Sequence, residues 1–139
     1  MKAGPKTVLL LSALLAPLAC ARKSAPEAAK AAPAPAPLTY EARLGRATFT
    51  HYCQTCHGET GAGDGFNAFN LDPHPRDLSD PEFQKKKSDA QLADAIQRGG
   101  AGVGLSALMP PYGRTLSARQ IGEVVLFLRS LPALRKPAS

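Results

Sequence analysis

The strongest periodic signal in the chain lies near its C-terminus, where Ile121, Val124, Val125 and Leu128 recur at i, i+3, i+4 and i+7. That spacing gathers them on one stripe of an α-helix. Ser117 with Gln120 makes a capping box at its start, and Leu116 and Ile121 form a hydrophobic staple across it. The helix is expected to run up to Pro132. The same start signal recurs at Ser88 and Gln91, ahead of the stripe Leu92, Ala93, Ile96, and Gly99-Gly100 should stop that helix. Upstream, Thr39 can cap a helix running to about Cys53. One of its stripes carries Tyr40, Leu44, Ala47 and His51, another Gly45, Phe49, Tyr52 and Cys53. Ser79-Asp80-Pro81-Glu82 starts a short helical turn that ends near Lys85-Lys86-Lys87, with Pro81 placed early, where its missing N–H does no harm. No run alternates with period two. The pattern predicts an all-α domain of three main helices plus short turns.

Breakers mark what lies between and before these elements. Gly61-Ala62-Gly63-Asp64-Gly65 and Asp72-Pro73-His74-Pro75 make Gly58 to Leu78 a loop. Residues 1–19 carry Lys2 and Lys6, then the apolar run Val8 to Leu15, then a stretch ending at Ala19, which reads as an export signal too short to span a membrane. Cys20 follows at once, and its position resembles the lipidation site of bacterial lipoproteins. Ala19 suits that pattern, while Leu18 and Pro17 replace the small residue and the leucine usual there; the alternative is a plain secretory signal cut after Ala19 or Ala21. From Ala21 to Pro37 the composition turns to Ala, Pro and Lys, so that 20–38 reads as a tether whose Pro-rich part could hold the domain up to ~50 Å from a membrane at roughly 3 Å per residue. The domain is then 39–132, with a tail over 133–139.

Charge narrows the function classes. The net charge is +6, yet Lys2, Lys6, Arg22, Lys23 and Lys30 all precede residue 38 with only Glu27 against them, which leaves the domain about +2. A basic protein that binds nucleic acid is not supported. The lysines at 85–87 could steer an acidic redox partner, although such a run is more often only solvated surface.

The candidate chemistry is concentrated in Cys53-Gln54-Thr55-Cys56-His57, the spacing at which a c-type haem is attached. On a helix the thiols lie one turn apart, where they can meet the two haem vinyl groups, and the histidine projects toward the iron. A redox-active Cys-x-x-Cys pair should instead sit where a strand enters a helix, and no strand is evident here. A zinc site could recruit Cys53, Cys56 and two of His51, His57 and His74, but the second pair lacks the compact repeat of zinc modules. One covalent haem would staple a core of about 100 residues, and the 6% aromatic content fits a porphyrin filling the centre.

A second ligand stands in Leu108-Met109-Pro110-Pro111-Tyr112-Gly113. Met109 is the only methionine besides Met1, belongs to no helical stripe, and is held extended by the proline after it, so that it can present its thioether from a loop. His51 shares the attachment helix and is poorly placed for the opposite haem face, and His74 sits in a proline loop.

With Cys53-Gln54-Thr55-Cys56-His57-Gly58, Met109-Pro110 and the flanking helices in view, residues 39 to 132 resemble class I cytochrome c. Gly45 and Phe49 match the family's N-terminal helix, where a small residue lets the C-terminal helix cross closely, and Val124, Phe127 and Leu128 match that partner helix. The resemblance implies that a proline carbonyl, of Pro73 or Pro75, accepts a hydrogen bond from His57. It implies a one-electron carrier that docks with a redox protein donor and acceptor, and no enzyme. Two alternatives remain at this level: a gas sensor or peroxidase-like protein if Met109 is not a firm ligand, and a cytochrome subunit of a larger oxidoreductase complex.

Overall fold

The computed structural model describes residues 36–135 together with Met1 and Gly4. The export signal, Cys20, most of the tether and the end of the tail fall outside the described residues. Among the described residues five helices follow one another: α1 (Tyr40–Tyr52), α2 (Gln54–His57), α3 (Pro81–Lys86), α4 (Asp89–Gly102) and α5 (Ala118–Leu134). A single 3₁₀ turn spans Ala68–Asn70, and there is no strand among the described residues. The all-α expectation therefore holds, with α1, α4 and α5 as the three long helices.

The starts of these helices follow from local chemistry. Thr39 accepts from the Ala42 amide at 3.2 Å, and Asp80 accepts from the Glu82 amide at 3.0 Å with Pro81 in the first turn of α3. Ser88 with Gln91, and Ser117 with Gln120, close both halves of a capping box. Leu116 and Ile121, flanking the second box, are both buried.

The core is built where α1 crosses α5. Phe49, Val124, Phe127 and Leu131 are at most 1% exposed, and the rings of Phe49 and Phe127 lie 5.2 Å apart at 59°. Such a tilted pair contributes about 1 kcal/mol beyond its area. Gly45 makes the crossing this close, since a Cβ there would run into the carbonyl of Glu123. The Glu123 side chain, itself buried, is paired with Arg119 at 2.9 Å.

Two ends differ from the sequence expectation. α5 does not stop at Pro132 but continues to Leu134, with the proline inside its last turn. α4 does break at Gly99, where φ is 71° and ψ 173°, and then resumes a turn as far as Gly102. Both departures are compensated by partners from elsewhere in the chain.

The short α3 is locked to α5 by Arg129. Its guanidinium donates to the Gln84 carbonyl at 2.7 Å, the Gln84 side-chain oxygen at 2.6 Å, the Lys87 carbonyl at 2.6 Å and Asp89 at 2.7 Å. The last two partners are the end of α3 and the first residue of α4, so one side chain sets the angle between three helices.

Candidate haem-binding site

The attachment motif sits at the junction of α1 and α2. Cys53 ends α1 by donating to the Phe49 carbonyl at 2.8 Å, and its own carbonyl then accepts from Cys56 at 3.2 Å and His57 at 2.9 Å. That single turn holds the two thiols and the imidazole together on a rigid element. Both thiols are free and half-buried. Burial, with the neighbouring Cys56 second, pushes the free Cys53 thiol up to about 12.

His57 is also half-buried, and burial lowers its pKa against the opposing pull of a hydrogen bond to the Arg76 carbonyl. That carbonyl lies 3.4 Å from Nδ1. With the proton on Nδ1, Nε2 keeps its lone pair available for a metal. The acceptor is thus Arg76, not Pro73 or Pro75 as the resemblance to class I cytochrome c implied. The reason lies in the loop: the Pro75 carbonyl is turned onto Gly63, where a Cβ would overlap it, while the Gly63 amide donates to the His57 carbonyl at 2.9 Å. Leu78, donating to the Gly61 carbonyl at 2.7 Å, closes the same turn.

The loop that carries Met109 is hydrogen-bonded to the broken end of α4. Because the backbone turns away at Gly99, the Ile96 and Gln97 carbonyls accept instead from Tyr112 and Gly113, each at 3.0 Å. The Gly100 amide, released from the helix, donates to the Met109 carbonyl at 2.9 Å. Any Cβ on Gly99 would stand 2.6 Å from the Pro111 nitrogen and 2.8 Å from the Met109 carbonyl, so only glycine permits this docking. Met109 itself is half-buried and packs against the core, as does Cys53. Leu105 and Leu108, in the same loop, are 65% and 52% exposed, apolar surface suited to covering a flat apolar group.

The other histidines stand apart from this arrangement. His51 is exposed on α1, its ring edge-on to Tyr52 at 4.5 Å, and His74 is exposed in its loop. Among the described residues no three His, Cys, Asp or Glu side chains gather to hold a metal ion, which removes the zinc reading there. No strand among them enters the helix at Cys53, as a redox-active Cys-x-x-Cys pair would require. No motif in the sequence marks out Tyr112, whose hydroxyl donates to the Tyr52 carbonyl at 3.0 Å and whose pKa is raised by burial and then by Cys53, Cys56 and Tyr52. An aromatic three residues after Met109 was the one available signal.

Two free thiols one turn apart, an imidazole oriented by a carbonyl and a thioether on a tethered loop are a donor set that fits a covalently bound haem. This helical fold with that motif defines a class I c-type cytochrome. The chain belongs to the family described as cytochrome c oxidase, cbb3-type, subunit III, whose model matches residues 41–128. Haem c binding and haem-based electron transfer with redox partners follow from that membership. Among solved structures, the chain is similar to "KustC0563 c-type cytochrome", with 26% identity, 63% of this chain and 95% of that chain covered, and a TM-score of 0.48. No curated protein matches the chain. No helix among the described residues is long and apolar enough to cross a membrane.

Proposed function

We propose that the protein carries a single haem c, bonded through Cys53 and Cys56 and ligated by His57 and Met109, and passes one electron at a time between two redox proteins. The observation that carries this reading is the pairing of His57 Nδ1 with the Arg76 carbonyl, one turn from two free thiols. It leaves Nε2 as the ligating atom and fixes the ring plane. When bound, the haem supplies a one-electron couple whose potential His/Met ligation raises. The chain's residues bind, orient and exclude water: Cys53 and Cys56 anchor, Arg76 orients His57, and the bonds from Gly100, Tyr112 and Gly113 hold the Met109 loop. None of these roles calls for a general acid, a base or a nucleophile, so the protein is a carrier and not an enzyme.

The matched family is described as an oxidase subunit, which favours service within or beside a larger oxidoreductase complex as the place where the electron is delivered. Residues 1–19 act as the export signal, Cys20 takes a lipid, and residues 20–38 tether the domain to the periplasmic face of a membrane. Replacing Cys20 by Ser should then move the exported protein from the membrane to the soluble fraction.

The deciding test is the optical spectrum of the matured protein, oxidised and reduced, beside Met109→Ala. A c-type spectrum with a sulfur-to-iron charge-transfer band that vanishes in the variant is expected. Covalent haem without that band, with carbon monoxide binding readily to the reduced form, would move the reading to a gas sensor or peroxidase-like protein.

A further inference from the structure

The C-terminal end of α1 leaves the Tyr52 carbonyl without its helical partner. Tyr52 is the last residue of α1, and the amide four residues on, that of Cys56, bonds the Cys53 carbonyl instead. The vacant acceptor is filled by the Tyr112 hydroxyl at 3.0 Å, across 60 positions of sequence. The two rings meet edge to face at 5.7 Å and 63°, so the hydroxyl is aimed by packing as well as by its bond.

Every other hydrogen bond made by the loop around Met109, among the described residues, runs to α4 or stays within the loop itself. Met109 and Gly100 pair, Tyr112 and Gly113 reach Ile96 and Gln97, and Leu105 returns to Gly100. Tyr112 Oη to Tyr52 is the one bond joining that loop to the α1–α2 junction that carries Cys53, Cys56 and His57. We propose that Tyr112 is a positioning residue: its hydroxyl, bonded to the Tyr52 carbonyl, latches the Met109 loop onto the attachment helix and so sets how readily an outside ligand displaces Met109. The inference rests on the reading of Met109 as the sixth ligand.

The latch follows from ordinary linkage. An outside ligand binds only the state in which the loop has released its ligand, so its apparent affinity scales with the population of that state. Removing one net hydrogen bond from the closed state alone raises that population about fivefold. The Tyr112 backbone contacts to Ile96, Thr115 and Leu116 do not involve the hydroxyl and survive a change to phenylalanine.

The test titrates oxidised holo-protein with imidazole while following the sulfur-to-iron band, for wild type, Tyr112→Phe and Asp89→Asn. The last variant takes the charge from the 2.7 Å pair with Arg129 and so weakens the fold at the start of α4, the end opposite this loop. Tyr112→Phe should bind imidazole about fivefold more tightly than wild type, with Asp89→Asn unchanged. Equal affinity for Tyr112→Phe and wild type, with the band present in both, overturns the latch. So does a matching rise in both variants, which would reflect global stability alone. A wild type with covalent haem and no band would sink the Met109 reading itself, and the latch with it.

Discussion

Gln84 Nε2 lies 3.1 Å from the carbonyl of Leu128 and donates to it. Four residues on from Leu128 stands Pro132, which has no N–H to give back to that carbonyl. The glutamine of α3 therefore supplies the bond that the proline withholds, and α5 runs on to Leu134 instead of ending at the proline. The same side-chain amide donates to the Leu78 carbonyl at 2.6 Å, which joins the loop of residues 58–78 to both helices.

Gln84→Ala should accordingly leave two carbonyls short of a donor. An unfolding free energy lower by about 2–3 kcal/mol is expected, measured by denaturant titration of the holo-protein. A loss within ±0.5 kcal/mol would mean that water or a shifted backbone replaces the amide.

Arg129→Met keeps most of the aliphatic stem and removes the four hydrogen bonds to Gln84, Lys87 and Asp89. The side chain is only 28% exposed, so at least one of these bonds is poorly replaced by water. The cost should be about 2–4 kcal/mol, read as a drop in thermal midpoint, while the haem spectrum at room temperature stays that of wild type.

At the α1–α5 crossing, Gly45→Leu is expected to be among the most damaging single changes. Its side chain has to enter the space of the Glu123 backbone, and neither helix can move without separating Phe49 from Phe127. Overpacking of this kind costs roughly 1–3 kcal/mol when a flexible side chain yields, and here the obstacle is backbone, so the upper end or beyond applies. Low recovery of haem-loaded protein beside a soluble Gly122→Leu control would show it, because nothing stands within 4 Å of a Cβ at Gly122.

Gly99→Ala addresses the Met109 loop. Alanine resists the pairing of φ 71° with ψ 173°, a region essentially reserved for glycine, by roughly 1–3 kcal/mol, and its Cβ would press on the Met109 carbonyl and the Pro111 nitrogen. The sulfur-to-iron band should weaken or disappear well below the temperature at which helical circular dichroism is lost. Band and helix melting together would argue that the loop is not separately held.

What the sequence determined by itself was local. Thr39, Ser88 with Gln91, and Ser117 with Gln120 are caps whose donor and acceptor lie within three positions, so the pattern announces them before any packing is known. The Cys53-to-His57 motif, with its thiols one turn apart, was legible for the same reason, whereas the close crossing at Gly45 was expected only from the resemblance to class I cytochrome c. What only the tertiary structure decided is which distant group meets which carbonyl. Arg76, and not a proline, faces His57 because Pro75 is turned onto Gly63; Tyr112 reaches Tyr52; Gln84 and Arg129 tie α3 to α5 and so let α5 pass its proline. A backbone carbonyl carries no sequence label, since every residue has one. Its partner is set by where whole helices come to rest against the core, and no spacing along the chain records that.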